Sequence, residues 1–329
     1  MSILTPNKVE PRREGTCEIS VKGAWVDVPA LDFEGKTVVV TGRWLKMASV
    51  HDEVWLATEL EHPEDCVRKL KAWGPHGLRA DIFSFAQKPP ATIPKYEYPM
   101  EWDSIAVART SNFKDWWEKL PQETRKNVRR AQKRGVDIRI REFDDELVTE
   151  IIGVNDDSPT RQGTRNLHYR KSFEQVKRDE SSFVDRSDFI CAYAGSELIG
   201  FLKVVYRGEI ASILNLFPKA SHADKRPANA LVAKAVELCE AKGISYLTYG
   251  KFNYGNKGAS PLREFKIRNG FEEMLVPRFY VPLTTWGAAS LKTKFHRGLL
   301  GLLPRRVIGM GVSVRTKWHH LKSSLAKPV

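Results

Sequence analysis

The chain has 329 residues, 42% of them hydrophobic, with 53 Lys+Arg against 40 Asp+Glu and a formal net charge of +13. That length exceeds what one core usually fills and predicts two domains, and no low-complexity tract speaks for disorder. The four cysteines (Cys17, Cys66, Cys191 and Cys239) form no CxxC or Cys/His ligand spacing, which predicts reduced thiols and no metal site.

The opening "MSILTPNKVEPRREG" holds no apolar core of signal-peptide length. No run reaches the roughly 18 apolar residues of a spanning helix, so the expected location is the cytoplasm. Charge is unevenly spread. After Glu273 there is no acidic residue, and ten basic ones follow: Arg278, Lys292, Lys294, Arg297, Arg305, Arg306, Arg315, Lys317, Lys322 and Lys327. Residues 1–273 therefore carry 43 Lys+Arg against 40 Asp+Glu, only +3. The body is nearly neutral and the tail is the basic element.

In chain order, an arm (1–20) precedes a small α+β region (21–110). There "KTVVVTG", "EVWLATEL", "DIFSFAQ" and "SIAVAR" are predicted strands and "PEDCVRKLKAW" a helix. A connector (111–135) follows, "WWEKLPQETRKNVRRAQKRGVDIRI" with its flanks, whose basic helix either bridges two domains with its charges in water or tracks a phosphate backbone such as that of tRNA.

The stretch 136–283 is clearer. "GVDIRIREF" alternates as a strand, and "DDELVTEIIGVN" is a helix opened at Asp144 or Asp145. "DDSPTRQGTRNLHYRK" leads into a second helix, "SFEQVKRDESSF". Three strands follow in a meander, "DFICAYA", "ELIGFLKVVY" and "EIASILNLF". A helix starts at Pro227 and stops at Gly243. "SYLTYG", a helix at "PLREFKIRNG", and two strands, "FEEML" and "RFYVPL", complete the order β-α-α-β-β-β-α-β-α-β-β.

This order over 136–283 resembles the GNAT fold of N-acyltransferases, an α+β architecture. The connector resembles that of the Fem-type (FemAB) peptidoglycan-bridge aminoacyltransferases and the BioF2-like acetyltransferases, in which a "TRxNVRKAxKxGV"-like helix enters the second of two GNAT-like halves. Thr124, Arg125, Asn127, Val128, Arg129, Arg130, Ala131, Lys133, Gly135 and Val136 carry the match. The resemblance implies two tandem GNAT-like halves, the first degenerate.

It also singles out "FKIRNGF", similar to a Fem-type "FKxxFG" step, with Lys266 where many GNAT enzymes place a Tyr. A cation there can stabilise a tetrahedral oxyanion or hold a donor phosphate. The structural alternative is a surface Lys on an amphipathic helix. The GNAT coenzyme A loop, Gln/Arg-x-x-Gly-x-Gly/Ala, corresponds here to "KRPANALVAKA", with Ala228 and Ala230 in place of the usual glycines. The donor-site residues so implied are Asn215, Lys225, Arg226, Ala228, Asn229 and Ala230, with acetyl-CoA or another acyl-CoA as donor, or an aminoacyl-tRNA.

On the acceptor side the resemblance directs attention to Asp157 and His168 as bases and Tyr254 as acid, with Arg161, Gln162, Tyr169, Tyr249 and Asn253 as substrate-binding residues. Loops are rich in such residues, and turn chemistry explains "TRQG" equally well. The tail (284–329) alternates basic and apolar clusters. This is either a peripheral element on the anionic inner face of a membrane, drawn chiefly from 286–329, or an extension packed on the first domain.

There is no GxSxG, Walker A or dinucleotide fingerprint. The expected activity is acyl or aminoacyl transfer to an amine, with a small-molecule or cell-envelope precursor as acceptor. The alternative is a catalytically decayed GNAT-fold protein that binds RNA or is recruited to membranes as a scaffold.

Overall fold

A computed structural model describes residues 15–21, 24–73, 79–161, 164–253 and 260–298. The first segment forms β1 (Thr16–Val21), β2 (Ala24–Phe33), β3 (Lys36–Thr41), β4 (Met47–Val50), α1 (Pro63–Trp73), β5 (Ile82–Ala86) and β6 (Met100–Arg109). The connector supplies α2 (Phe113–Lys119) and α3 (Gln122–Lys133). Then come β7 (Val136–Arg141), α4 (Asp145–Asn155), the small hairpin β8 (Thr160–Arg161) and β9 (Thr164–Arg165), and α5 (Phe173–Glu180). The chain continues through β10 (Ser187–Ala194), β11 (Glu197–Arg207), β12 (Ile210–Pro218), α6 (Pro227–Ala241), β13 (Tyr246–Lys251), α7 (Pro261–Arg268), β14 (Glu272–Pro282) and α8 (Thr285–Lys292).

Local chemistry explains the helix limits. Asp144 caps α4 by accepting from Leu147 N at 2.7 Å, and Ser172 and Gln175 close a capping box on α5; both satisfy N–H groups that a first helical turn leaves unpaired. Pro227 fits the first turn of α6, and Gly243 ends that helix at φ 68°.

Twelve strands form one sheet in the order β1-β2-β3-β4-β5-β14-β6-β13-β12-β11-β10-β7. Its two ends repeat one plan. β4 and β5 run parallel, as do β12 and β13. Between them the terminal strands have changed places. β6, from the first half of the chain, pairs with β13, and β14, from the second, pairs with β5. The two exchanged strands also pair with each other over eight residues, Glu272↔Val107 to Phe279↔Met100.

The exchange carries core residues across. Ala106 and Ala108 of β6 lie in the core under α6, while Phe279 and Val281 of β14 lie in the core beneath α1. A separate layer, α4 and α5, covers the other face of β10 and β11 through Leu147, Ile151, Val176, Phe189 and Phe201. β11 is buried almost end to end, as expected for a strand covered on both faces.

Two expected elements differ. "EVWLATEL" is not a strand: Asp52 takes a left-handed conformation at φ 53° and Glu53–Trp55 make one 3-10 turn. "FEEML" and "RFYVPL" are not two strands but one, β14, continuous through Val276 and Pro277. Pro277 marks the point where a second ladder begins, with β5, at Arg278↔Ala86.

The connector helix α3 is not only a solvated bridge. Thr124 and Ala131 are buried and Val128 packs on the core under α6, while Lys126, Arg129 and Lys133 face water. Residues 285–298 pack back onto the first half: Trp286 Nε1 donates to Trp44 O at 3.1 Å and His296 Nε2 lies 2.8 Å from Glu101. The rest of the basic tail, with most of the segment proposed for membranes, lies outside the described residues.

Candidate active site

The ladder between β12 and β13 holds for only three pairs, Ile210↔Tyr246, Ala211↔Leu247 and Ser212↔Thr248. Beyond Ser212, β12 keeps its pairing with β11 as far as Pro218 but, among the described residues, has no strand partner on its β13 side. A bulge where Lys203/Val204 face Asn215/Ile213 bends β12 at this point, the usual way a strand is turned out of a ladder. A cavity of about 410 Å³ opens in the wedge.

One wall is the α4–β8 segment with Asp157, Ser158, Thr160 and Arg161. Another is the loop from Lys219 into the first turn of α6, with Arg226, Pro227, Ala228 and Asn229. Leu216 and Pro218 of β12, Tyr249 of β13, and Pro261, Leu262 and Phe265 of α7 complete the lining. The cavity thus has an apolar floor and cations on two sides.

Asp157 organises the loop. Its carboxylate accepts from Ala220 N at 2.5 Å, from Ser221 N at 3.3 Å and from the Ser221 hydroxyl. Partial burial works against its charge, but the Ser221 hydroxyl, these two amides and the nearby Lys219 together hold it below the usual carboxylate range. An acid so engaged is a poor proton acceptor, so the geometry makes Asp157 a clamp on the loop rather than a base. It is the one carboxylate among the described lining residues.

Arg161 projects into the cavity with its guanidinium 4.3 Å from the Phe217 ring centre. Burial lowers its pKa, partly offset by Tyr249 and Asp157 close by. The His168 ring meets the Phe217 ring at a tilt, centres 4.8 Å apart, and burial lowers its pKa below the ordinary 6.5, with Lys171 adding to the effect. It does not line the cavity. Tyr169 lies under Arg170, also away from the lining.

Lys266 is completely buried. Its ammonium donates to Lys251 O at 2.7 Å and sits 4.5 Å from the Tyr249 ring centre, one layer behind the cavity. Burial lowers its pKa to about 8. The surface-Lys alternative is therefore wrong, and Lys266 is not among the described residues that line the wedge. The Gly-Phe step that follows has its own reason. Gly270 has φ 79°, and a Cβ there would meet Trp116 Nε1 at 2.6 Å; that indole donates to Asn269 O at 3.2 Å. The α7 terminus is thus clamped by the connector.

Three expected ligand-binding side chains are used within the protein. Asn215 faces the α5 layer and donates to both oxygens of buried Glu180, at 2.7 and 2.9 Å. Asn253 bonds Glu273 at 2.7 Å and accepts from Arg263 Nε at 2.9 Å. Asn229 lines the cavity, but its amide donates to Asn269 Oδ1 at 3.1 Å, joining α6 to α7. Ala230 faces the core, and Lys225 sits in the preceding 3-10 turn off the lining. Arg226 and Ala228 do line it. Gln162 and Tyr254 lie outside the described residues.

Sequence reasoning missed the Glu180–Lys203–Asn215 cluster, in which Glu180 lies 23 residues before Lys203 and 35 before Asn215. It also missed Leu216, Leu262 and the other apolar lining residues, which carry no chemical signature. Among the described residues no group of three His, Cys, Asp or Glu side chains is placed to hold a metal ion. No described helix is long and apolar enough to cross a membrane.

No family model matches the chain, and no curated protein matches it in sequence. Solved structures do. The C-terminal DUF2156 domain of a putative lysylphosphatidylglycerol synthetase from Agrobacterium fabrum aligns over 80% of this chain and 87% of its own, at 14% identity and TM-score 0.54. L-PGS from Bacillus licheniformis aligns over 79% and 85%, at 13% identity and TM-score 0.50. FemX aligns over 80% and 88%, at 11% identity and TM-score 0.47. What the chain shares with the synthetase structures is a fold alone: a GNAT-like α+β architecture in tandem.

Proposed function

We propose that the protein transfers an acyl or aminoacyl group, from a coenzyme A thioester or an aminoacyl-tRNA, to an amine acceptor in the wedge between β12 and β13. The observation that carries this reading is the early end of the β12–β13 ladder. It leaves an edge of β12 without a strand partner among the described residues, beside a cavity of about 410 Å³, where a carrier-bound carbonyl can take the place of the missing strand.

In this reading the donor's phosphates meet Arg226 and Lys219 at the start of α6, where helix N–H groups also favour anions. Alanines in place of the GNAT glycines, together with Pro227, narrow that approach, which favours the cationic side chains over a backbone cradle. Arg161 binds a carboxylate or phosphate of the acceptor or steadies the oxyanion. The amine nitrogen bonds to the donor carbonyl carbon and loses a proton to water at the cavity mouth, since Asp157 is engaged. The tetrahedral intermediate then breaks its C–S or C–O bond, and the Tyr249 hydroxyl or water protonates the departing thiolate or ribose oxygen. Lys266 acts through Tyr249, holding its ring and the end of β13 in place.

The lysylphosphatidylglycerol synthetase names of the similar structures support an aminoacyl donor and a cell-envelope acceptor. The test is mass spectrometry of an amine library incubated with the full chain and a panel of acyl-CoAs, and in parallel with charged tRNA. A new acylated amine that appears with the native protein and disappears with Arg161→Ala and Lys266→Ala supports the proposal. No product from either donor class, with donor binding intact, would leave the scaffold alternative.

A further inference from the structure

At the opposite end of β12, a second cavity of about 220 Å³ lies where the β11–β12 turn meets the first half of the chain. Its lining includes Lys88, Arg207, Glu59, Glu209 and Ile210. Lys88 and Arg207 are only 8% and 6% exposed. Both turn to the same neutral acceptor, the Leu56 carbonyl; Arg207 Nη1 reaches it at 3.4 Å, and its Nε reaches Ser212 Oγ at 3.3 Å. Among the described residues neither cation has a carboxylate within 4 Å, unlike Arg278, which has two.

The acids in the neighbourhood are already engaged. Glu53 accepts from Ala86 N at 2.7 Å and from Arg278. Glu59 accepts from Lys88 N at 2.8 Å and pairs with Lys95 at 2.7 Å. Glu209 is exposed at the rim. Arg207 and, more weakly, Lys36 oppose the charge on Lys88, Glu53 and Glu59 favour it from beyond pairing distance, and Arg186 opposes the charge on Arg207. Burial lowers Lys88 to about 7 and Arg207 to about 10. An arginine cannot shed its proton near neutrality, so the buried charge persists unless an anion compensates it.

We propose that this cavity binds a small free oxyanion, of the phosphate or carboxylate class, clamped between the Lys88 ammonium and the Arg207 guanidinium. The ligand would join the two halves of the chain, because Lys88 belongs to the segment after β5 and Arg207 to the end of β11. The site is separate from the wedge, which is lined by the other end of the same strand.

The test follows the melting temperature of the full chain in a zwitterionic buffer as sodium sulfate or sodium acetate is added, with sodium chloride at equal ionic strength as control. A ligand selective for the folded state raises the melting temperature in a saturable way. The expected result is such a rise with sulfate, acetate or both, the larger one identifying the class. It is expected to fall in Lys88→Met and Arg207→Met by more than in Arg226→Met, which alters only the wedge. Without added anion, both methionine variants should melt at or above the native temperature, because each removes a buried charge that has no directly paired carboxylate among the described residues. The sulfate effect should also weaken from pH 6 to pH 9 as Lys88 loses its proton, sulfate itself keeping its charge. No anion-specific rise in the native protein, or a full rise retained in Lys88→Met, overturns the proposal; if Arg207→Met does not fold, the Lys88 comparison decides alone.

Discussion

Lys266 stands behind Tyr249: its ammonium lies 4.5 Å from the ring centre and is tied to Lys251 O at 2.7 Å. A buried cation thus braces the back of a residue whose front lines the wedge. The pairing connects α7 to the end of β13, which has left β12 but still pairs with β6 at Lys251↔Ile105.

The pH dependence of stability should report that cation. Its folded pKa, about 8, lies below the ordinary 10.5. Between those values the unfolded chain binds a proton that the folded chain does not, so stability rises with pH across this window. Relative to Lys266→Met, the native protein should gain about 1–3 kcal/mol between pH 7 and pH 10 by urea titration. A flat difference would show that Lys266 is solvated.

Asn215 is expected to matter for folding more than for donor binding. Burial raises the Glu180 pKa, and Lys203 and Asn215 counter that effect. Asn215→Ala removes two hydrogen bonds from a buried carboxyl and should destabilise the fold by about 2–3 kcal/mol in chemical denaturation. Donor affinity should change less than about threefold, a difference below 1 kcal/mol.

Asp157 holds the loop that leads into α6. Asp157→Asn keeps the shape but weakens the bonds to Ala220, Ser221 and the Ser221 hydroxyl, at a cost of about 1 kcal/mol. Because the native carboxyl titrates below its ordinary range, its contribution is present at neutral pH and is lost as pH falls through the folded value. Amide hydrogen exchange at Ala220 and Ser221 should quicken in the variant at pH 7, while exchange in β10 stays unchanged.

Arg278 fastens the exchanged strand. Burial opposes its charge, but Glu53 and Asp103, at 2.8 and 2.6 Å, hold the guanidinium charged and raise its pKa. Arg278→Met leaves two partly buried carboxylates without their cation and should cost about 1–3 kcal/mol. Since β14 completes the first core and β6 the second, heating should give one cooperative transition, and residues 136–298 alone should not fold. Two separate calorimetric transitions would contradict this interlocking.

Legibility in the sequence followed the range of the signal. The 136–283 stretch was readable because its helices carry caps and its strands alternate, as at Asp144, Pro227 and "DIRIR". The exchange of β6 and β14 was not, because strand partners far apart in the chain leave no local trace. "SIAVAR" looks the same whichever strand it joins. Arg161, Arg226 and Ala228, which the GNAT resemblance singled out as acceptor- and donor-side residues, do line the cavity. Asn215 and Asn253 were misplaced because the side of a strand that faces a ligand depends on a bulge and a network that sequence spacing does not display. Lys88 and Arg207 look like ordinary surface charges until the two halves meet.

The most direct test of the central claim is hydrogen exchange measured by mass spectrometry with and without donor, using acetyl-CoA in one arm and an aminoacyl-tRNA in the other. The account predicts that one of them slows exchange in residues 213–218 of β12, in the loop and helix start at 219–229, and around Tyr249. Protection confined to other surfaces, or none from either donor at saturating concentration, would contradict a wedge that accepts a carrier-bound acyl group.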